Sequence, residues 1–151
     1  MGLAGHVGAR LADEEIEIDA PVERVWQVMT GEGLIAEWLG CLGYRAEIGH
    51  VFHMQQDREK HARGDTSGAT HCELLALEPP TRMVFSWYVP ELPKTQVTIT
   101  LTPVDGGTRA ELRHSGWDQF EGDESRAIRD ALAGGWGSFV LPQLKRAAEA
   151  G

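Results

Sequence analysis

The spacing of apolar residues changes twice along the chain, and each change predicts a different kind of element. Leu11 to Ile18 ends in the alternating pair Ile16 and Ile18, the two-residue period of a strand with one covered face. Asp19-Ala20-Pro21 then reads as a helix start, with Asp19 as N-cap and Pro21 near the first helical position. Val22, Val25, Trp26 and Met29 follow at helical spacing, as core types on one stripe. Thr30-Gly31-Glu32-Gly33 interrupts this helix, and Leu34 to Leu39 supplies a second short helical turn carrying Trp38.

From Tyr44 to Ser115 the period falls to two, which predicts strands near 44–48, 50–56, 69–78, 82–88, 95–102 and 108–115. Ile48-Gly49-His50 reads as a tight connection and Asp57 to Ser67 as a polar loop. Glu78-Pro79-Pro80-Thr81 is a turn, because two prolines cannot continue a ladder. Asp105-Gly106-Gly107 is the clearest hairpin signal, since glycine permits positive φ. Sequential antiparallel strands pair with their neighbours, so a meander in one curved sheet is expected. Gly122 to Ala150 then returns to a helical period through Ile128, Leu132, Trp136, Phe139, Val140, Leu144 and Ala147. Gly134, Gly135 and Gly137 weaken that helix, and Pro142 predicts a kink or break in it. The order β-αα-β6-α gives an α+β fold with helices packed on one sheet face. No repeat, low-complexity tract or linker divides the chain, so residues 1–151 are expected to form a single domain.

Alternation also assigns faces. The inward rows are Phe52 and Met54; Met83, Phe85 and Trp87; Val97, Ile99 and Leu101; and Ala110, Leu112 and His114. His53, Gln55, Ser86, Gln96, Thr98, Thr100, Arg109, Glu111 and Arg113 fall on the outer face. One histidine, His114, is thereby placed in the apolar layer. A curved sheet facing a glycine-bearing helix leaves room at its open end. Trp38, Phe52, Trp87, Trp117 and Trp136 come from inward or mouth positions and would wall such a space. The alternative is a filled core built from the same residues. Trp38 reads equally as a lid over the mouth or as an anchor for its helix.

Composition narrows the possible partners. The 151 residues are 42% hydrophobic and 25% charged, as in one soluble globular domain. Such a domain hides roughly 70% of its unfolded surface and needs no metal or disulfide staple. A formal net charge of −9 repels phosphate backbones and anionic lipid surfaces, so no nucleic acid is expected as a partner. The chain shows no secretory h-region and no apolar run of about 18 residues, so a cytoplasmic protein with no integral membrane segment is expected. Cys41 and Cys72 form no CxxC pair and are expected as reduced thiols.

The other histidines suggest no metal site: His53 faces opposite Phe52, His61 lies in the polar loop, and His71 and Cys72 point to opposite faces. No GxSxG, Walker A or GxGxxG is present, and no cofactor is expected. His114 could give or take one orienting hydrogen bond to a ligand, or be a structural histidine bonded to backbone. Asp118 and Glu121 follow it in a loop and read as solvated.

Ile18-Asp19-Ala20-Pro21-Val22-Glu23-Arg24-Val25-Trp26 and then Trp38-Leu39-Gly40 resemble the opening of the START-like (SRPBCC) superfamily. Glu78-Pro79-Pro80, Met83-Val84-Phe85-Ser86-Trp87, Asp105-Gly106-Gly107-Thr108, His114-Ser115-Gly116-Trp117 and Gly135-Trp136 continue the likeness in the same order, over about residues 10–148. Within the superfamily the chain is most similar to proteins related to the activator of the 90-kDa heat-shock-protein ATPase. This resemblance implies a helix-grip (Bet v 1-like) fold, a curved seven-stranded antiparallel sheet around a long C-terminal helix. It also implies a cavity for lipids, sterols, polyketides or other hydrophobic molecules. Some relatives are cyclases or aromatases and the namesake regulates a chaperone, so fold alone does not choose.

Three readings follow. In the first, a noncatalytic module encloses a small hydrophobic ligand within a wall of Trp38, Phe52, Met54, Phe85, Trp87, His114, Trp117 and Trp136. In the second, a cyclase or dehydratase moves a proton with His114 and needs a second titratable group aimed inward. In the third, a surface regulates a chaperone ATPase. The chain is expected to act as a monomer or homodimer.

Overall fold

The alternating rows in the middle of the chain meet in one sheet in the computed structural model of the protein, which describes residues 10–32, 34–39, 41–55, 57–88, 94–115 and 140–150. The strands are β1 (Arg10–Ile18), β2 (Cys41–Leu42), β3 (Val51–Met54), β4 (Thr70–Glu78), β5 (Arg82–Trp87), β6 (Thr95–Val104) and β7 (Gly107–Ser115). They form a curved seven-stranded antiparallel sheet in the order β1-β7-β6-β5-β4-β3-β2, a meander from β2 to β7 with β1 laid beside β7. The described helices are α1 (Val22–Thr30), α2 (Ile35–Leu39), α3 (Arg58–Arg63) and α4 (Leu141–Glu149). Among the described residues no helix is long and apolar enough to cross a membrane.

The predicted hairpin joins β6 to β7, with Gly106 at φ +82° between the paired residues Val104 and Gly107. Gly107 is fixed by space: a Cβ there would lie 2.1 Å from the carbonyl oxygen of Ile18, where β1 leaves the sheet. Thr108 secures the same junction by donating its hydroxyl to the carbonyl of Ala20 at 2.8 Å.

Helices α1, α2 and α4 pack together, and α4 also touches β1, so the apolar stripe of α1 and the inner face of the sheet close over one core. Val25, Met29, Ile35, Phe85, Leu112 and Leu144 are among its fully buried members. Trp26, expected in that core, is half-buried at its margin. The end of α4 is tied back to the start of α1. Arg24 donates from Nε to the carbonyl of Ala148 at 3.3 Å and from Nη2 to that of Ala147 at 3.4 Å, placing a cation on the orphan carbonyls of a helix C-terminus.

Several predicted elements are corrected. The segment 44–48 is a turn rather than a strand, because Gly43 at φ +74° and Gly49 at φ +90° bracket it with backbone that cannot extend a ladder. The strand at this edge is instead β2, whose Cys41 and Leu42 pair with Met54 and His53. The polar stretch after Asp57 contains α3, which has no buried residue and therefore no apolar stripe to announce it. Its signals are local: Asp57 Oδ1 accepts from the amide of Lys60 at 3.0 Å, and Gly64 ends the helix at φ +71°. At α1 the N-cap is Pro21, not Asp19, and no side chain caps it. Asp19 instead donates its amide to the Glu149 carboxylate at 2.7 Å. Pro142 lies in the first turn of α4, where a missing N–H costs nothing. The rest of the predicted helix, residues 122–139 with Gly134, Gly135 and Gly137, lies outside the described residues.

Candidate functional site

Strand register assembles the inner-face site. Trp87 of β5 pairs with Thr95 of β6, and Val97, two residues along, pairs with His114 of β7. Because alternate residues share a face, Trp87, Thr95, Val97 and His114 all look inward at one end of the sheet. His114 is 0% exposed, as the alternation of β7 predicted.

The imidazole is held by a side chain. His114 Nε2 lies 2.7 Å from Thr95 Oγ1, and Thr95 Oγ1 lies 3.2 Å from the carbonyl oxygen of Trp87. A carbonyl oxygen only accepts, so the single hydroxyl proton of Thr95 goes to Trp87 and the hydroxyl oxygen accepts from His114 Nε2–H. The Trp87 ring meets the imidazole edge-on, with centroids 5.6 Å apart and planes at 70°. Burial pushes the His114 pKa down to about 3, so the ring is neutral at neutral pH.

The other predicted wall residues follow β3, β5 and α2. Phe52, Met54 and Phe85 are buried, and Phe52 packs edge-on against Phe85 at 5.8 Å. Tyr44, outside the predicted wall, joins them from the turn before β3. Its ring meets Phe52 at 5.2 Å, and its hydroxyl donates to the Thr30 carbonyl at 2.9 Å. Burial, then the neighbouring Cys41 and Glu32, hold the Tyr44 phenol above its usual range. Trp38 is 1% exposed, so α2 carries it as an anchor within the core cluster, yet its indole Nε1 meets no acceptor among the described residues. Trp117 and Trp136, and likewise Asp118 and Glu121, lie outside the described residues.

Both cysteines are free and buried; burial raises Cys41 to about 12 and also raises Cys72, which leaves them as inert thiols. Gln55, placed on the outer face by alternation, is 8% exposed because the loop folds over it. Its amide donates to the carbonyls of Asp65 and Ser67 at 3.0 and 3.1 Å. The outer face also holds a groove of about 390 Å³ lined by Glu73, Leu75, Ser86, Lys94, Thr95, Gln96 and Ser115. Beside it His53 and His71, read separately in the sequence, are cross-strand neighbours with ring centroids 4.6 Å apart. Among the described residues no group of three or more His, Cys, Asp or Glu side chains converges on one point.

A curved antiparallel sheet closed by short helices and a C-terminal helix defines a START-like helix-grip protein. The profile of the family described as Activator of Hsp90 ATPase homolog 1-like protein matches residues 19–149. The chain belongs to that family. Among solved structures it is similar to a Mesorhizobium loti protein, at 26% identity and TM-score 0.75, over 91% of this chain and 96% of that one. DynU16, a protein of the dynemicin biosynthetic locus, shares the fold at 24% identity and TM-score 0.70, over 91% of this chain and 46% of its own. The Aha1 dimer from Colwellia psychrerythraea shares it at 19% identity and TM-score 0.65, over 91% and 94%. No curated protein sequence matches the chain.

Proposed function

We propose that the protein is a binding module that encloses a small hydrophobic ligand with one polar end against the inner face of its sheet. The observation that carries this reading is His114, a neutral and fully enclosed imidazole fixed by Thr95 beside Trp87 in an otherwise apolar layer. A neutral ring held in one orientation sets a polar point in the layer without burying a charge, and with its N–H directed at Thr95 its Nδ1 can only accept, which suits a hydroxyl rather than a carbonyl on an apolar molecule. Trp38, Phe52, Met54, Phe85 and Trp87 supply apolar wall, and Trp117 and Trp136 extend it in the sequence reading. The buried Trp38 Nε1, with no acceptor among the described residues, is a donor that a ligand acceptor would satisfy.

A proton-transfer enzyme is a poorer fit. An imidazole held near 3 is a weak base at neutral pH. The family description supports a second reading, regulation of a chaperone ATPase, for which the chain would act in the cytoplasm through its surface as a monomer or homodimer. Stimulation of a purified Hsp90-type ATPase by the chain, with no stabilisation by any apolar compound, would favour that reading over ours.

The test is a thermal-shift and native mass-spectrometry screen of the whole chain against fatty acids, sterols and aromatic polyketides. At least one class should raise the melting temperature and quench tryptophan fluorescence, since a ligand stabilises by RT ln(1 + [L]/Kd). His114→Phe should weaken polar-ended ligands about 3- to 10-fold while leaving plain hydrocarbons unchanged, the effect of one neutral hydrogen bond. A screen in which no compound raises stability overturns the proposal.

A further inference from the structure

On the outer face of the sheet, away from the inner-face site, the ladder brings two imidazoles together. The β3–β4 register pairs His53 directly with His71. His71 turns both backbone groups the other way: its N–H donates to the Tyr88 carbonyl at 2.8 Å, and its own carbonyl accepts from the Tyr88 N–H at 2.9 Å. In an antiparallel sheet a residue that exchanges both bonds with one neighbour exchanges none with the other. His53 and His71 are therefore a non-hydrogen-bonded pair, the type in which facing side chains stand closest.

The pair has the dimensions of a chelate. The ring centroids are 4.6 Å apart and the planes cross at 71°. An imidazole bound through nitrogen at about 2.1 Å puts its centre about 3.2 Å from the metal, so two rings at 90–109° would have centres about 4.5–5.2 Å apart. Both side chains are half-buried, open to solvent on one side. Among the described residues no hydrogen bond occupies either ring, in contrast to His50, whose Nε2 sits 2.6 Å from the Gly43 carbonyl.

We propose that His53 and His71 are the two protein ligands of an outer-face site for a borderline divalent transition-metal cation, Cu²⁺ or Zn²⁺, with water completing its coordination. Imidazole nitrogen suits these ions, and of the two Cu²⁺ binds more tightly at a nitrogen site. Bound there, the ion clips β3 to β4 near the sheet edge, where β2 is only two residues long. The site stands apart from the proposed ligand space and does not depend on it.

The experiment titrates the whole chain, metal-free, with Zn²⁺ and then Cu²⁺ by calorimetry. One saturable equivalent is expected, with Cu²⁺ tighter than Zn²⁺. His53→Gln and His71→Gln should each weaken it at least about ten-fold, the double variant little further, and His50→Gln not at all. NMR of the unaltered protein gives a readout that needs no variant: Zn²⁺ should shift the ring signals of His53 and His71 and leave those of His114 in place. Absence of saturable binding, or binding that survives both substitutions or shifts other histidines instead, overturns the proposal.

Discussion

His114 and His71 project to opposite faces of the same sheet and stand in different surroundings. His114 lies between long strands, is wholly enclosed, and has a hydroxyl partner that fixes its ring. His71 lies near the short edge formed by β2 and β3, half-open to solvent, with another imidazole facing it. In the centre of the sheet, burial on one side forces the period and lowers the pKa of what it encloses. At the edge the inner face is buried too, but the strands are short, and local turn chemistry and loop packing decide what meets what on the outer face. This difference predicts that perturbations of the centre act on the whole fold, while those at the edge act locally.

The largest effect should come from Phe85→Ala. Phe85 is 0% exposed and packs on Phe52, so truncation removes a large apolar surface and leaves a cavity that close-packed neighbours fill only in part. A loss of about 3–5 kcal/mol is expected from urea unfolding. A loss under about 1 kcal/mol would mean that this region already contains space, and would sharpen the case for a ligand there.

Next is the acid response of His114. Its folded pKa lies near 3 and its unfolded value near 6.5, so between those limits the unfolded chain binds the proton and the folded chain does not. The protein is thus expected to lose stability as pH falls below about 6.5, by at most about 1.4 kcal/mol per pH unit from this group. His114→Phe should remove that slope while carboxylates keep theirs. Equal slopes in the two proteins would place the imidazole in water and break the contrast with His71.

The same contrast explains what could be read from the residues. Val97, Ile99, Leu101, Ala110, Leu112 and His114 stand on long strands with one buried face, and a one-residue slip would expose the whole row, so alternation specifies them. The hairpin at Gly106 was legible for a similar reason, since its backbone admits few other residues. The edge was not legible. Tyr44 to His50 mimics a strand in pattern, and only two positive-φ glycines reveal the turn. Gln55 obeys alternation, but burial arrives from a loop whose fold depends on α3. The pairing of His53 with His71 needs a register between strands separated by a long insertion, which no local pattern carries.

Gln55→Ala tests that edge directly. The amide donates twice, to Asp65 and Ser67, and accepts from the Asp57 amide at 3.0 Å, so most of its hydrogen-bonding capacity is committed to the loop. Removing it takes a partner from the Asp65 carbonyl and the Asp57 amide, while the Ser67 carbonyl keeps Lys60 Nζ at 3.3 Å, and should cost about 1–3 kcal/mol. Hydrogen exchange should speed up across residues 57–67 and not at β6 or β7. Faster exchange throughout would show the edge and the centre to be one cooperative unit.

The smallest effect should be that of Asp57→Ala. Asp57 Oδ1 accepts from the Lys60 amide and occupies one of the donors that a helix N-terminus leaves unpaired. Because no residue of α3 is buried, packing does not compensate for a lost cap, and the helix rests on its two ends. A local cost of about 1 kcal/mol is expected, seen as faster exchange of the Lys60 and His61 amides. Asp57→Ser should restore most of it, since a hydroxyl accepts the same bond. If the global unfolding midpoint falls as far for Asp57→Ala as for Phe85→Ala, α3 is coupled to the core and the division between centre and edge fails. If only the local amides respond, the six-residue helix is a surface clasp that the sheet does not require, and the sheet stands on its alternating inner row.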